Sequence, residues 1–262
     1  MQTTRNKVST ARHDIAALPA PPTPGADEGW ALFLDVDGTL LDFARHPADV
    51  EVAAQLHDDL VGMRSRLKGA VALLSGRPLS QLDHLFGWHA HAASGLHGAE
   101  LRMPDGRVHV TGEDAAFAGS RARAAVLVAE AKGVVLEDKQ RALALHFRHA
   151  PHARATAERI VDTLLQGMGN QYAVQRGDQV IELKPAGVDK GRALDALMHV
   201  APFRGRRPWM LGDDLTDEDA FRHVNARDGV GVIIGDRRPT AARYALADPA
   251  EVRAWLHALA TS

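Results

Sequence analysis

Five consecutive apolar residues, Trp30-Ala31-Leu32-Phe33-Leu34, run directly into Asp35-Val36-Asp37-Gly38-Thr39-Leu40. A run this short and this apolar reads as a strand buried on both faces, the kind found inside a parallel sheet. The two aspartates stand two residues apart at its carboxyl end, so both can point the same way. Gly38 lets the backbone turn sharply behind them. The arrangement recurs along the chain. Ala70 to Leu74 is a second apolar run and ends at Ser75-Gly76-Arg77; Trp209-Met210-Leu211 is another and ends at Gly212-Asp213-Asp214. Val230 to Ile234 reads as a further strand, and Ala90 to Ser94 as one more. Helical spacing fills the intervals, over Val50 to Leu67, from Pro78 onward, and over Lys190 to His199, Glu218 to His223 and Glu251 to Ala260. Short apolar strands alternating with helices predict an α/β fold around a parallel sheet. Ligands of such sheets gather beyond the carboxyl ends of the strands.

The pattern changes near residue 112. Leu101 to Val110, with Pro104-Asp105-Gly106 at its centre, reads as a hairpin. Beyond it come a helix over Asp114 to Ala131, strands over Val134 to Glu137 and Arg141 to Phe147, a helix over Pro151 to Met168, and strands over Tyr172 to Gln175 and Gln179 to Leu183. Helix, hairpin, helix, hairpin makes a compact α+β unit, inserted into the first. The expected organisation is a tail over 1–28, a larger unit over 29–111 and 183–262, and an insert over 112–182. The tail carries Pro19-Ala20-Pro21-Pro22-Thr23-Pro24-Gly25, which can neither continue a helix nor join a central strand.

Charge and composition then exclude several functions. Lys plus Arg number 31 and Asp plus Glu 33, a net charge of −2, so there is no basic field for nucleic acid or an anionic membrane. No apolar run approaches the roughly 20 residues of a membrane span. Cysteine is absent, which excludes disulfides and thiolate metal sites. A cytoplasmic protein is expected, with a monomer favoured.

Three strand ends and one helix start carry the chemistry. The Asp35/Asp37 pair is the first. Ser75-Gly76-Arg77 offers a hydroxyl and backbone N–H groups that suit a phosphate, although alone it is equally a plain strand-to-helix turn. Asp213, Asp214, Asp217, Glu218 and Asp219 place five acids within seven residues. Thr216 as N-cap and a favourable helix dipole account for Asp217 to Asp219. They do not account for Asp213 and Asp214, whose hard oxygens suit magnesium. Lys190 follows Asp189, a candidate N-cap, at a helix start where a cation opposes the dipole. It is either a solvated lysine or the partner of a bound anion. Two acids, a phosphate cradle, a lysine and a metal-binding acid pair make a phosphoryl-transfer site with an aspartate nucleophile.

These residues, in this order, resemble the four motifs of the haloacid dehalogenase-like (HAD) phosphatases. More narrowly the chain is similar to the trehalose-6-phosphate phosphatases. That likeness rests on Ser75-Gly76-Arg77, Gly95-Leu96-His97-Gly98-Ala99-Glu100, Glu137-Asp138-Lys139, Leu143-Ala144-Leu145-His146-Phe147-Arg148, and the run from Gly212 to Phe221. It covers about residue 30 to 260. The resemblance implies a Rossmann-like core with an α/β cap, and a small-molecule substrate, trehalose 6-phosphate. By it Asp35 is the nucleophile and Asp37 the acid/base. Asp35, the Asp37 carbonyl and Asp213 hold Mg²⁺, with Asp214 also assigned to the metal and Asp217 beside it. Ser75 and Lys190 bind the phosphate. Gly76, Arg77, His97, Glu137, Lys139, Arg148 and Glu182 are expected around the substrate, with Glu137 to Lys139 otherwise a polar hairpin and Arg148 with Glu182 otherwise a surface pair. Leu96 departs from the small polar residue expected of many relatives. A phosphatase of sucrose phosphate or mannosylglycerate phosphate is the alternative, and a non-catalytic sugar-phosphate sensor a more distant one.

Overall fold

The computed structural model describes residues 18–25, 29–42, 50–112, 115–177 and 179–262. In chain order the elements are β1 (Trp30–Leu34), α1 (Ala54–Arg66), β2 (Val71–Leu74), α2 (Leu79–Phe86), β3 (Ala93–Gly95), β4 (Glu100–Arg102), β5 (Val108–Val110), α3 (Ala115–Ala129), β6 (Val135–Asp138), β7 (Leu143–His146), α4 (Arg154–Leu165), β8 (Tyr172–Gly177), β9 (Val180–Pro185), α5 (Lys190–Met198), β10 (Arg207–Gly212), α6 (Glu218–Asn225), β11 (Val230–Ile234), β12 (Tyr244–Leu246) and α7 (Pro249–Ala260).

Eight strands form one sheet in the order β12-β11-β10-β1-β2-β3-β4-β5. Its first six strands run parallel, and β4 and β5 add an antiparallel edge. Every residue of β1, β2 and β11 is buried, as the unbroken apolar runs require. From β1 the chain adds strands on one side through β2 and β3, and on the other through β10, β11 and β12. The order therefore reverses between β1 and β10, and the crevice beyond their carboxyl ends is where such a sheet takes its ligand. Trp30, Trp209 and Trp255 pack ring on ring near the opposite end, with centroids 5.3 to 6.4 Å apart. Burying each such side chain contributes roughly 1.5–3 kcal/mol or more, so the strands that carry the site are held rigidly.

Four strands, β6-β7-β9-β8, form a second, antiparallel sheet. One face packs on α3 and α4 through a separate apolar core that includes Phe117, Leu143, Leu145, Ile160, Leu164, Ile181 and Leu183. Strand alternation puts Glu137, Ala144, His146, Glu182 and Lys184 on the other face. Where the chain enters and leaves this unit, Gly112 lies against Pro185. A Cβ on Gly112 would stand 2.1 Å from the proline ring, and its φ is +86°.

Several elements differ from the sequence expectation. The helix expected from Pro151 begins with a single 3₁₀ turn and becomes α-helical at Arg154. β9 runs on to Pro185, past the expected end of the insert. β12 was not expected, because three residues of mixed character carry no periodicity. The tail expectation changes too: Leu18 packs on the larger core, and the Pro19 carbonyl accepts a hydrogen bond from the Ala245 N–H at 2.9 Å. Proline removes the donor of its own residue and leaves the carbonyl free to bond a strand edge. The rest of the expected tail, 1–17 and 26–28, lies outside the described residues, as does Asp114.

Candidate active site

β1 delivers Asp35 into the crevice with its backbone already fixed, since its N–H bonds the Leu211 carbonyl of β10 at 2.9 Å. Lys190 opens α5 and is buried. Its ammonium donates to Asp35 Oδ1 at 2.5 Å and to Asp217 Oδ1 at 2.7 Å. The solvated reading of Lys190 is thereby replaced by the buried one. Burial alone would lower its pKa, but the charges of Asp217 and Asp35 outweigh that and hold it above the ordinary lysine value. Asp189 caps the same helix by accepting from the Arg192 N–H at 2.7 Å, as expected.

Asp35, Asp213 and Asp217 bring carboxylate oxygens within 4.8 Å of one another. At that separation each ionised pair repels by about 3 kcal/mol, taking an effective dielectric of about 20. Burial raises the Asp35 carboxyl well above its ordinary value, and Asp217 and Asp213 add to this against the pull of Lys190. Burial, followed by the charge of Asp217, pushes Asp213 up to about 7. Three crowded acids facing one ammonium suit a hard divalent cation.

Asp217 is fully buried. It is drawn in by the turn that precedes α6: Asp214, and not Thr216, is the cap, with its carboxylate on the Leu215 N–H at 2.6 Å, while Asp217 Oδ2 accepts from the Asp214 N–H at 2.9 Å. A Cβ at Gly212 would stand 2.3 Å from the Asp217 carboxyl carbon, so glycine makes room for it. The acid assigned to the helix dipole thus faces the nucleophile, and the one assigned to metal faces its own backbone. A glycine immediately before the Asp213-x-x-x-Asp217 pair was the signal in the sequence. Behind this loop Arg237 donates to the carbonyls of Asp213 and Asp214 at 3.0 and 3.1 Å and to Glu218 at 2.5 Å, a clamp the sequence reading missed.

On the other side of Asp35, Asp37 is gripped by Arg77. The guanidinium donates through Nε and Nη2 at 2.7 and 2.6 Å, one bond to each carboxylate oxygen. Ser75 is buried, and its hydroxyl accepts from the Arg77 N–H at 3.1 Å. The loop after β3 places His97 over Gly76, with Leu96 and His97 both in the left-handed region at φ 49° and 54°. Non-glycine residues there cost of order 1–3 kcal/mol each and mark places that the surroundings hold in position. His97 Nε2 contacts Glu182 Oε2 at 3.0 Å, and its Nδ1 is buried with no partner among the described residues.

The smaller sheet reaches across to these groups. Lys139 donates to Glu182 Oε1 at 3.2 Å and to the Gly76 carbonyl at 3.3 Å. Burial opposes ionisation of Glu182, but Lys139 and His97 overcome it and hold the carboxyl well below the usual range. Glu137 accepts from or shares a proton with His146 Nε2 at 2.8 Å on the same open face. Arg148 is exposed and lies two residues past His146, beyond the end of β7. No helix among the described residues is long and apolar enough to cross a membrane.

A family model described as trehalose-phosphatase matches residues 33–250. The chain belongs to the trehalose-phosphatase family. It is 42% identical over 214 residues to a probable trehalose-phosphate phosphatase of Sinorhizobium fredii, covering 82% of this chain and 81% of that one. It is 37% identical over 245 residues to the trehalose-6-phosphate phosphatase of Escherichia coli, covering 93% and 91%. Among solved structures, the C-terminal domain of the C. albicans trehalose-6-phosphate phosphatase matches with a TM-score of 0.79 at 22% identity, over 93% of this chain and 99% of that one. A HAD-superfamily phosphatase of Bacteroides thetaiotaomicron shares the fold with a TM-score of 0.58 at 18% identity. The trehalose-phosphatase match spans both sheets, so the α/β fold and its insert belong to the family as a unit.

Proposed function

We propose that this chain hydrolyses trehalose 6-phosphate to trehalose and phosphate, with Asp35 as nucleophile and the smaller unit as a cap over the sugar. The observation that carries the reading is the buried group of Asp35, Lys190, Asp213 and Asp217 at the point where the strand order reverses, in a chain of the trehalose-phosphatase family.

Asp35 attacks phosphorus and forms an aspartyl-phosphate, while Asp37 gives its proton to the departing sugar oxygen. Asp37 then takes a proton from water, which attacks the acyl phosphate and regenerates Asp35. Ser75 and Lys190 orient the transferring group from either side. The carboxylates of Asp35 and Asp213 and the Asp37 carbonyl would hold Mg²⁺, with Asp217 at their side; Asp214 is withdrawn from this set by its capping bonds. Bound Mg²⁺ neutralises carboxylate and phosphate charge, so that one anion can approach another. Across the crevice, Glu137, Lys139, Glu182 and His97 present donors and acceptors to the sugar hydroxyls. Contacts remote from the phosphate both select the substrate and favour closure. A cytoplasmic location fits this reading, because a sugar-phosphate dianion does not cross a bilayer unaided and must share a compartment with the enzyme.

Phosphate release from a panel containing trehalose 6-phosphate, sucrose phosphate, mannosylglycerate phosphate and glucose 6-phosphate tests the reading. Trehalose 6-phosphate should give the highest kcat/KM by at least tenfold. A higher value for another member would reassign the substrate, and no release from any would leave a binding protein.

A further inference from the structure

Lys184 is the penultimate residue of β9 and is 8% exposed. Two residues from Glu182, it shares the face of the smaller sheet that looks onto the crevice, while Ile181 and Leu183 point into the apolar core. Across the sheet its neighbour is Ala173, and the next strand offers Ala144 beside Glu182, so neither of these neighbours pairs with its charge.

The charged groups that face Lys184 are Glu182, Asp189, Asp219 and Lys190. Each acid already has a cation of its own. Glu182 bonds Lys139 and His97, Asp189 caps α5 beside Arg192, and Asp219 pairs with Arg222. No hydrogen bond or ion pair to Lys184 forms among the described residues. Burial accordingly pulls its ammonium below the ordinary lysine value. Most of the side chain is enclosed, but the ammonium, which has no partner among the described residues, is not sealed off and is open to a ligand.

The other cations of the crevice are neutralised. Lys190 faces Asp35 and Asp217, Arg77 grips Asp37, and Lys139 faces Glu182. A dianionic ester entering this crevice meets one uncompensated positive side chain among these residues. We infer that Lys184 is a binding residue for the phosphate end of the substrate, reaching it from the cap side while Lys190 reaches it from the core. The role rests on the phosphatase reading above.

Titration calorimetry of the Mg²⁺-loaded protein with inorganic phosphate reads this without turnover. Lys184→Met should weaken phosphate binding roughly ten- to hundred-fold, the loss of one charge-assisted bond. Lys184→Arg should recover most of it. The melting temperature of Lys184→Met should not fall, since no hydrogen bond or ion pair among the described residues is lost. kcat/KM on trehalose 6-phosphate and on p-nitrophenyl phosphate should drop together, as both carry the phosphate. Unchanged phosphate affinity in Lys184→Met would overturn the proposal. So would a loss that accompanies a lower melting temperature and is not restored by arginine. Wild-type protein that turns over p-nitrophenyl phosphate but not trehalose 6-phosphate would defeat the substrate assignment alone, and the phosphate titration would still decide Lys184.

Discussion

Arg77 holds both carboxylate oxygens of Asp37, one bond to each. This two-point grip fixes the direction of the Asp37 carboxyl, so Arg77 is the group that aims it. To serve the leaving oxygen, Asp37 must let go of at least one of these bonds. Arg77→Gln should lower kcat on trehalose 6-phosphate roughly ten- to hundred-fold, part of what general acid–base catalysis supplies. On p-nitrophenyl phosphate, whose leaving group needs no proton, rapid mixing should show a burst of nitrophenolate followed by slow turnover. An unchanged kcat on the sugar ester would remove Arg77 from the mechanism.

Asp35→Asn should abolish turnover without lowering the melting temperature at pH 7. The folded pKa of Asp35 is raised. Ionised Asp35 therefore costs stability at any pH above its unfolded value, and the neutral amide does not. Turnover near the wild-type rate would sink the aspartyl-phosphate pathway, whereas an unfolded variant would show that the contact with Lys190 outweighs the crowding of acids.

Exhaustive chelation should eliminate phosphate release, Mg²⁺ should restore it, and Ca²⁺ should inhibit, because its larger and looser coordination misplaces the phosphate relative to Asp35. Asp213→Asn should raise the Mg²⁺ concentration needed for half-maximal activity far more than Asp214→Asn, whose side chain serves the backbone. Equal effects would place Asp214 among the ligands after all.

Glu182 gives a dependence on pH that can be signed. Its folded pKa is depressed, so its contribution to stability is present above the unfolded value near 4.5 and is lost as pH falls below it. Denaturant titration should show Glu182→Gln less stable than wild type at pH 7, with the gap closing below about pH 4.5. A gap that stays constant down to pH 3 would mean that the two hydrogen bonds, and not the charge, carry the interaction.

Glu137→Ala should lower kcat/KM on trehalose 6-phosphate roughly ten- to hundred-fold and affect p-nitrophenyl phosphate much less, the smaller ester having no second ring to hold. Lys139→Ala should be less selective, because Lys139 also ties the cap to the Gly76 carbonyl. Equal losses on both esters for Glu137→Ala would assign it to the fold.

The strand ends were legible because each is a sharp change from buried apolar residues to acids or a serine, which a single sequence displays openly. Asp217 was placed beside the metal only by the resemblance, and not by the residues themselves, for a physical reason. Acids in a first helical turn look alike in sequence whether they face solvent or are drawn inward by a bond to the backbone. Lys184 was overlooked because a lysine in a strand of mixed residues looks solvated until the sheet face is known. Arg148 was assigned through the resemblance alone, since its place past the end of β7 could not be read from the residues. β12 is too short to have a period, and its place is fixed by β11 and the Pro19 carbonyl.

Gly112 and Pro185 bring the two ends of the insert side by side. A segment whose ends already touch adds no gap for its host to bridge, so the catalytic sheet is indifferent to how long or what shape that segment is. Apart from Lys184, sugar preference and phosphoryl chemistry are thus separable at one crossing. A chimera that exchanges the stretch between these two residues but keeps Lys184 should keep hydrolysing p-nitrophenyl phosphate while changing which sugar ester it prefers, and loss of both would show that the two units were never independent modules.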